Sequence, residues 1–308
     1  LSDAAVLLGP TDTASALPYT ELADATAALL ADPGVSVPER QVLPLAGGGS
    51  LFVMPALDGQ IAIAKIITFT PTNAGTSRPS IQGDVLVFDT TTGERRLVLH
   101  GPTVTARRTA AVSLLAARLL APNPSGPMLI VGAGEQGQSH VEAFAQGLKV
   151  KEFWVHSRSR ASALRLVRHA QSLGAQAWVC DDADAALAHC SLVATCTPAQ
   201  GVVLSGMPRT DAFITAVGAF TPDMVELGTD LCQHVHSLGL IVTDTPRATD
   251  EAGDLLQAGL TVVGMPCLAD VVHGTCQAPK HGPVLFKSCG WAGWDLAAAR
   301  VALKPSAG

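Results

Sequence analysis

The chain is poor in aromatic residues and in charge. Phe, Trp and Tyr make up 4% of its 308 residues, with a single tyrosine, and Asp, Glu, Lys and Arg make up 15%. A disordered segment carries many charges and little apolar surface, so this composition excludes one. The 20 Lys and Arg are scattered and outnumbered by 26 Asp and Glu, for a formal net charge of -6. Without a basic cluster there is no counterpart for a phosphate backbone, which excludes a nucleic-acid partner. No apolar run is long enough to cross a bilayer; "AAVSLLAARLLA" is interrupted by Arg118. The opening "LSDAAVLLGPTD" has no basic stretch ahead of its apolar residues and does not read as a signal peptide. These absences point to a soluble, cytoplasmic protein with no membrane partner. The seven cysteines are odd in number and form no C-x-x-C pair, which argues against both a zinc cage and a disulfide framework. His234 and His236 could share one face of an extended segment, but no third ligand stands near them and no metal is expected.

What the chain does have is apolar bulk. At 48% hydrophobic residues it can bury a large core, and its length suits two domains. From about Pro127 onward, short aliphatic runs alternate with amphipathic segments, the pattern of a parallel sheet covered by helices. "MLIVGA", "EFWVHS", "AQAWVC", "LVATCT", "AFITAVGA" and "GLIVTD" are expected to be six strands of a doubly wound sheet. Ahead of them, a helix at "YTELADATAALLAD" precedes the strands "QVLPL", "LFVMPAL", "QIAIAKIITF" and "GDVLVFDT", with a long helix from about Val104. Strands joined by short turns predict a largely antiparallel or mixed sheet in a separate α+β domain. "APNPSGP" (Ala121 to Pro127) reads as the linker.

Between the strand "MLIV" and the helix after it stand Gly132, Gly134 and Gly137. Gly-x-Gly-x-x-Gly alone is weak, but directly between a buried strand and a helix N-terminus it forms a seat for a pyrophosphate. Gly132 permits the tight turn, Gly134 lets phosphates approach and Gly137 lets helix and strand pack closely, with Glu135 and Gln136 completing the turn. After the second strand, where an acidic residue would hold the ribose of NAD, the sequence reads "HSRSR". Ser157, Arg158 and Ser159 offer a guanidinium and hydroxyls for a 2′-phosphate, so NADPH is favoured and NADH remains possible. Thr197, in "ATCTP", is expected at the carboxyl edge of the sheet, where ligands bind in such folds.

Three cations stand out in the first domain. Lys65 interrupts a strand otherwise fit for burial, and a buried ammonium is costly unless an anion compensates it. Arg108 opens an apolar helix, and Arg40 follows Pro38 and Glu39. Converging on one pocket, they would hold a carboxylate; kept apart, each is an ordinary structural ion pair.

The stretches "AIAKIITF", "PSIQGDVLVFD", "TARRTAAVSLLA", "IVGAGEQGQSHVEAF", "VGAFTPDMVEL", "DEAGDL" and "LFKSCGWAGWDLAAA" together resemble the ornithine cyclodeaminase/mu-crystallin family along nearly the whole chain. The resemblance implies a homodimer in which residues 1–120 and 290–308 form the dimer sheet and substrate domain and residues 121–289 a Rossmann domain. It assigns Arg40, Lys65 and Arg108 to a substrate carboxylate, and Phe286, Lys287 and Ser288 to the nicotinamide end, with Ser288 also beside the substrate. Where ornithine-deaminating members carry an aspartate, this chain has Phe220, with Asp223 three residues on. Ornithine cyclodeamination is therefore disfavoured, and the resemblance leans to the ketimine reductases, which reduce small cyclic imino acids, with Lys65 as the first-ranked proton donor. An amino-acid dehydrogenase of the same family and a ligand-binding protein that keeps the NADPH site are the alternatives.

Overall fold

A computed structural model describes residues 6–73, 76, 78–198 and 200–304 of the chain. It begins with β1 (Val6–Leu8), a short helix α1 (Pro10–Ser15) and α2 (Tyr19–Leu30). The strands β2 (Gln41–Pro44), β3 (Ser50–Leu57), β4 (Ile61–Phe69), β5 (Ile81–Asp89) and β6 (Arg95–His100) follow. They form one six-stranded sheet in the order β1-β6-β5-β4-β3-β2. It is antiparallel except where β1 lies parallel to β6. The sequence reading anticipated β2 to β5; β1 and β6 escaped it, being short or charged at one end. On β4 the period of two puts Ile61, Ile63, Lys65 and Ile67 on one buried face.

Helix α3 (Gly101–Leu120) starts three residues before the expected Val104. Beyond it, β7 (Met128–Val131), α4 (Glu135–Gly147), β8 (Glu152–His156), α5 (Arg160–Ser172), β9 (Gln176–Val179), α6 (Ala183–Leu187) and β10 (Leu192–Thr195) alternate as strand and helix. Strands β11 (Gln200–Leu204) and β13 (Val225–Leu227) pair in a small separate sheet, on either side in sequence of β12 (Phe213–Ala216). Helix α7 (Thr229–Leu238), β14 (Leu240–Thr243), α8 (Gly253–Gln257), α9 (Leu268–Val272) and β15 (Val284–Lys287) complete this region. The main sheet runs β14-β15-β12-β10-β7-β8-β9, with every pairing parallel. This is a doubly wound α/β arrangement of seven strands, not the six anticipated. The seventh, β15, hides in the sequence because it is four residues long, ends in a lysine and follows a turn-rich stretch.

Helix α10 (Ala292–Ala302) then returns to pack on α2, β3 and β4. Two compact units result: the chain to Arg108 together with the segment from Trp291 onward, and Thr109–Gly290. The division falls inside α3, not at Ala121–Pro127 as the composition suggested. Apolar residues are buried all along α3, from Val104 to Leu120, so the Pro/Gly/Ser-rich stretch marks only where the helix stops. No helix among the described residues is long and apolar enough to cross a membrane.

Candidate active site

In the first unit the chemistry centres on Asp295. This carboxylate, the one acid of α10, is fully buried. Its Oδ1 accepts a hydrogen bond from Lys65 Nζ at 2.9 Å and lies 3.5 Å from Arg108 Nε. Lys65 is 1% exposed and Arg108 7%. Burial drives the Lys65 ammonium down to a pKa of about 8; Asp295 opposes the shift and Arg108 adds to it. Of the two adjacent arginines on α3, Arg107 is spent elsewhere: its Nε donates to the Leu17 carbonyl and its guanidinium stacks 3.8 Å above the Tyr19 ring. Arg40 lies half-buried in the loop immediately ahead of β2. The structure therefore brings Lys65 and Arg108 together on a shared carboxylate that the sequence reading missed. Its signal was a lone acid in a helix that is apolar apart from Arg300.

In the second unit the three glycines do separate jobs. Gly132 has φ +113°, a conformation that favours glycine, and its amide donates to the His156 carbonyl on β8. A Cβ on Gly137 would stand 2.0 Å from the Gly132 carbonyl oxygen, so α4 can approach β7 only with glycine there. Gly134 is extended, exposed and has nothing within 4 Å of its would-be Cβ. As the N-cap of α4 it brings no side chain to the helix N-terminus, the end of a helix that favours an anion. The turn thus fits a pyrophosphate, with exposed Glu135 and half-buried Gln136 in the first turn.

At the end of β8, Arg158 is exposed and forms no ion pair among the described residues, while neighbouring Arg160 is held by Asp181 at 2.9 Å. Ser159 caps α5, its Oγ accepting from the Ser162 amide, and Ser157 Oγ accepts from the Ser159 amide. Part of the expected phosphate-binding hydroxyl set is therefore engaged in helix capping.

At the carboxyl edge of the sheet, Thr197 is tied to Glu226, a fully buried residue of β13. Glu226 also accepts from Thr195 Oγ1 and the Gly218 amide. Burial pushes its carboxyl above the usual range against the pull of Lys287. Phe286 and Lys287 are wholly buried in β15. Lys287 Nζ donates to Asp254 Oδ2 and to the Ala219 carbonyl. Burial alone would lower the Lys287 pKa, but Asp254 and Glu226 outweigh it and hold the ammonium charged. Ser288 is likewise turned inward, donating to buried Asp244 at 2.9 Å. These buried acids were missed because each sits in a short segment without a recognisable spacing.

Phe220 is half-buried and packs against the apolar core of this unit, and Asp223 is exposed. His234 and His236 lie on helix α7, not on an extended segment, so two residues apart they point to different sides. The cysteines of the described residues are free, and six of the seven are buried. Burial pushes Cys190 up to about 12 and Cys180 up to about 11, which leaves both thiols unreactive.

The sequence profile of the ornithine cyclodeaminase/mu-crystallin family matches residues 23–304. The chain is 38% identical over 294 residues to Delta(1)-pyrroline-2-carboxylate reductase 1 of Burkholderia multivorans, covering 94% of this chain and 93% of the relative. It is 36% identical over 294 residues to the Delta(1)-pyrroline-2-carboxylate/Delta(1)-piperideine-2-carboxylate reductase of Azospirillum brasilense, with 94% and 93% covered. Ketimine reductase mu-crystallin of Mus musculus is 35% identical over 274 residues, with 88% and 85% covered. Among solved structures, Thermococcus litoralis Delta(1)-pyrroline-2-carboxylate reductase in complex with NADH and L-proline superposes with a TM-score of 0.88 at 23% identity, covering 96% of both chains.

Proposed function

Because the chain belongs to the ornithine cyclodeaminase/mu-crystallin family, we propose that it is an NADPH-dependent ketimine reductase of small cyclic imino acids. It would take Δ1-pyrroline-2-carboxylate to L-proline and Δ1-piperideine-2-carboxylate to L-pipecolate. The observation that carries the reading is the cluster on Asp295. Two buried cations on one carboxylate leave one net positive charge in apolar surroundings. Such a charge is costly unless an anion completes it, and the substrate's carboxylate is that anion. The named activities of the Burkholderia and Azospirillum relatives support this substrate class.

In this reading Arg108 binds the carboxylate, with Lys65 and, by family resemblance, Arg40 beside it. A bound nicotinamide would supply the hydride for the C=N carbon. Lys65 Nζ supplies the proton that ends on the imine nitrogen. With a pKa near 8 it is charged at neutral pH yet close enough to ambient pH to release its proton. Gly132, Gly134, Gly137 and the first turn of α4 hold the pyrophosphate. Exposed Arg158, with Ser157 and Ser159, holds the 2′-phosphate and favours NADPH over NADH. Thr197 lines the sheet edge at the cofactor. Half-buried Phe220 offers no carboxylate to a second amine, which counts against ornithine deamination.

The reading includes a homodimer in the cytoplasm. Edge strand β2, with Val42 and Leu43 exposed at 48% and 50%, supports an association through this sheet. The test is NADPH absorbance on adding Δ1-pyrroline-2-carboxylate, pyruvate with ammonia, or ornithine with NAD. Oxidation of NADPH with the cyclic imine alone is expected; no oxidation with it would overturn the reading.

A further inference from the structure

Asp295 does more than neutralise a buried lysine. Its Oδ1 is shared between Lys65 Nζ and Arg108 Nε, so one oxygen locates both cations, one from a strand and one from a helix. Its Oδ2, Arg108 Nε and the adjacent Trp294 Nε1 are buried with no hydrogen-bond partner among the described residues. A site optimised only for stability satisfies such groups, because a buried polar atom without a partner loses its hydration and gains nothing in return. That under-satisfaction points to a function other than holding the fold.

Among the described residues of the elements packed around it, no other carboxylate stands beside Lys65 and Arg108; Glu21 and Asp24 of α2 are exposed. On α10 the remaining charged group, Arg300, is held by Asp32 and Asp58. Strand β3 carries no charged residue. On β5, Asp84 pairs across from Ile66 on the opposite face of the sheet from Lys65, and Asp89 is engaged by Arg96. On α3, Arg107 is committed to Leu17 and Tyr19. Without Asp295, Lys65 and Arg108 would face each other as two buried like charges.

We propose that Asp295 is the positioning residue of the substrate site, fixing Lys65 and Arg108 at a common point and keeping the lysine charged so that it can bind the substrate and deliver its proton. The proposal rests on the ketimine reductase reading for its substrate and on the geometry for its residue.

The test combines kinetics with direct titration. In the NADPH-bound protein, Asp295→Asn is expected to move the basic limb of the pH profile of kcat/KM for Δ1-pyrroline-2-carboxylate at least one pH unit lower. At pH 8 kcat/KM falls at least tenfold, with NADPH affinity unchanged. Lys65, followed by NMR with lysine labelled at Cε and assigned through Lys65→Arg, is expected to titrate near pH 8 in the parent and below pH 7 in the variant. An unchanged limb and an unchanged Lys65 titration would overturn the proposal. If the parent does not reduce the imine, the functional reading fails by itself and the Lys65 titration alone decides the role of Asp295. Should Asp295→Asn not fold, Asp295→Glu keeps the charge and displaces it by one methylene. A KM raised at least tenfold with the Lys65 titration retained supports positioning, and a parental KM overturns it.

Discussion

Thr197 is bound to Glu226 twice, its amide at 2.7 Å and its hydroxyl at 2.9 Å, both to Oε1. With Thr195 and Gly218 on Oε2, this one buried carboxylate ties together the ends of two neighbouring strands, β10 and β12. Glu226→Gln would set an amide N–H₂ against donors that need an acceptor. A loss of about 2 to 4 kcal/mol in stability is expected, read from urea unfolding. Weaker NADPH binding should accompany it, because Thr197 loses its anchor. A variant as stable as the parent would show that the cluster is not a structural tie.

The glycine turn separates folding from binding. Gly137→Ala pushes a Cβ against the Gly132 carbonyl at 2.0 Å and should lower the melting temperature along with cofactor affinity. At Gly134 the added methyl meets nothing within 4 Å, so Gly134→Ala should melt like the parent. It should nevertheless bind NADPH at least tenfold more weakly, since the methyl occupies the approach of the phosphates. Calorimetry on both variants checks this, and parental affinity in Gly134→Ala would remove the phosphate from this turn.

In the proposed reading Arg158 distinguishes NADPH from NADH. Because it is exposed and holds no ion pair among the described residues, Arg158→Ala should leave stability unchanged. Losing a charged phosphate contact is expected to raise the NADPH Kd roughly 10- to 100-fold, with NADH little affected. Equal loss for both cofactors would argue against 2′-phosphate recognition.

His140 makes the second unit acid-sensitive. Its Nδ1 lies 2.8 Å from the Gln136 carbonyl and its Nε2 3.0 Å from Ser113 Oγ, which in turn lies 2.8 Å from Thr215 Oγ1. The carbonyl can only accept, so Nδ1 carries the proton and Nε2 accepts from Ser113. Burial lowers the pKa from 6.5 to about 4. Above pH 6.5 neither folded nor unfolded chain protonates this ring; as pH falls towards 4 only the unfolded chain does, and stability drops. The loss between pH 7 and 5 is expected to be about 2 kcal/mol, read from urea unfolding at both values. His140→Gln should flatten that dependence, and an equally steep one in the variant would exclude His140 as its source.

Lys287 and Asp254 form a fully buried ion pair. Removing one partner, as in Lys287→Met, strands the other charge and should cost about 3 to 5 kcal/mol. Loss of NADPH binding with parental stability would instead support a cofactor role for this lysine.

Sequence alone determined the elements whose signal is local. The parallel α/β character follows from aliphatic runs alternating with amphipathic helices, and the glycine turn from three residues bounded by a strand and a helix. Lys65 stood out because an ammonium in an isoleucine-rich strand violates the energetics of burial. The tertiary structure decided what depends on distant partners. Asp295 lies 230 residues from Lys65, and no spacing in the chain announces that they share a hydrogen bond. Strand β15 inserts between β12 and β14 although it comes last of the three in sequence, which buries Phe286 and Lys287 and turns Ser288 towards Asp244. A charged residue reads the same in sequence whether it faces a ligand or a buried counter-ion. The choice rests on which side chain the fold sets opposite it, and in low dielectric that neighbour determines its charge.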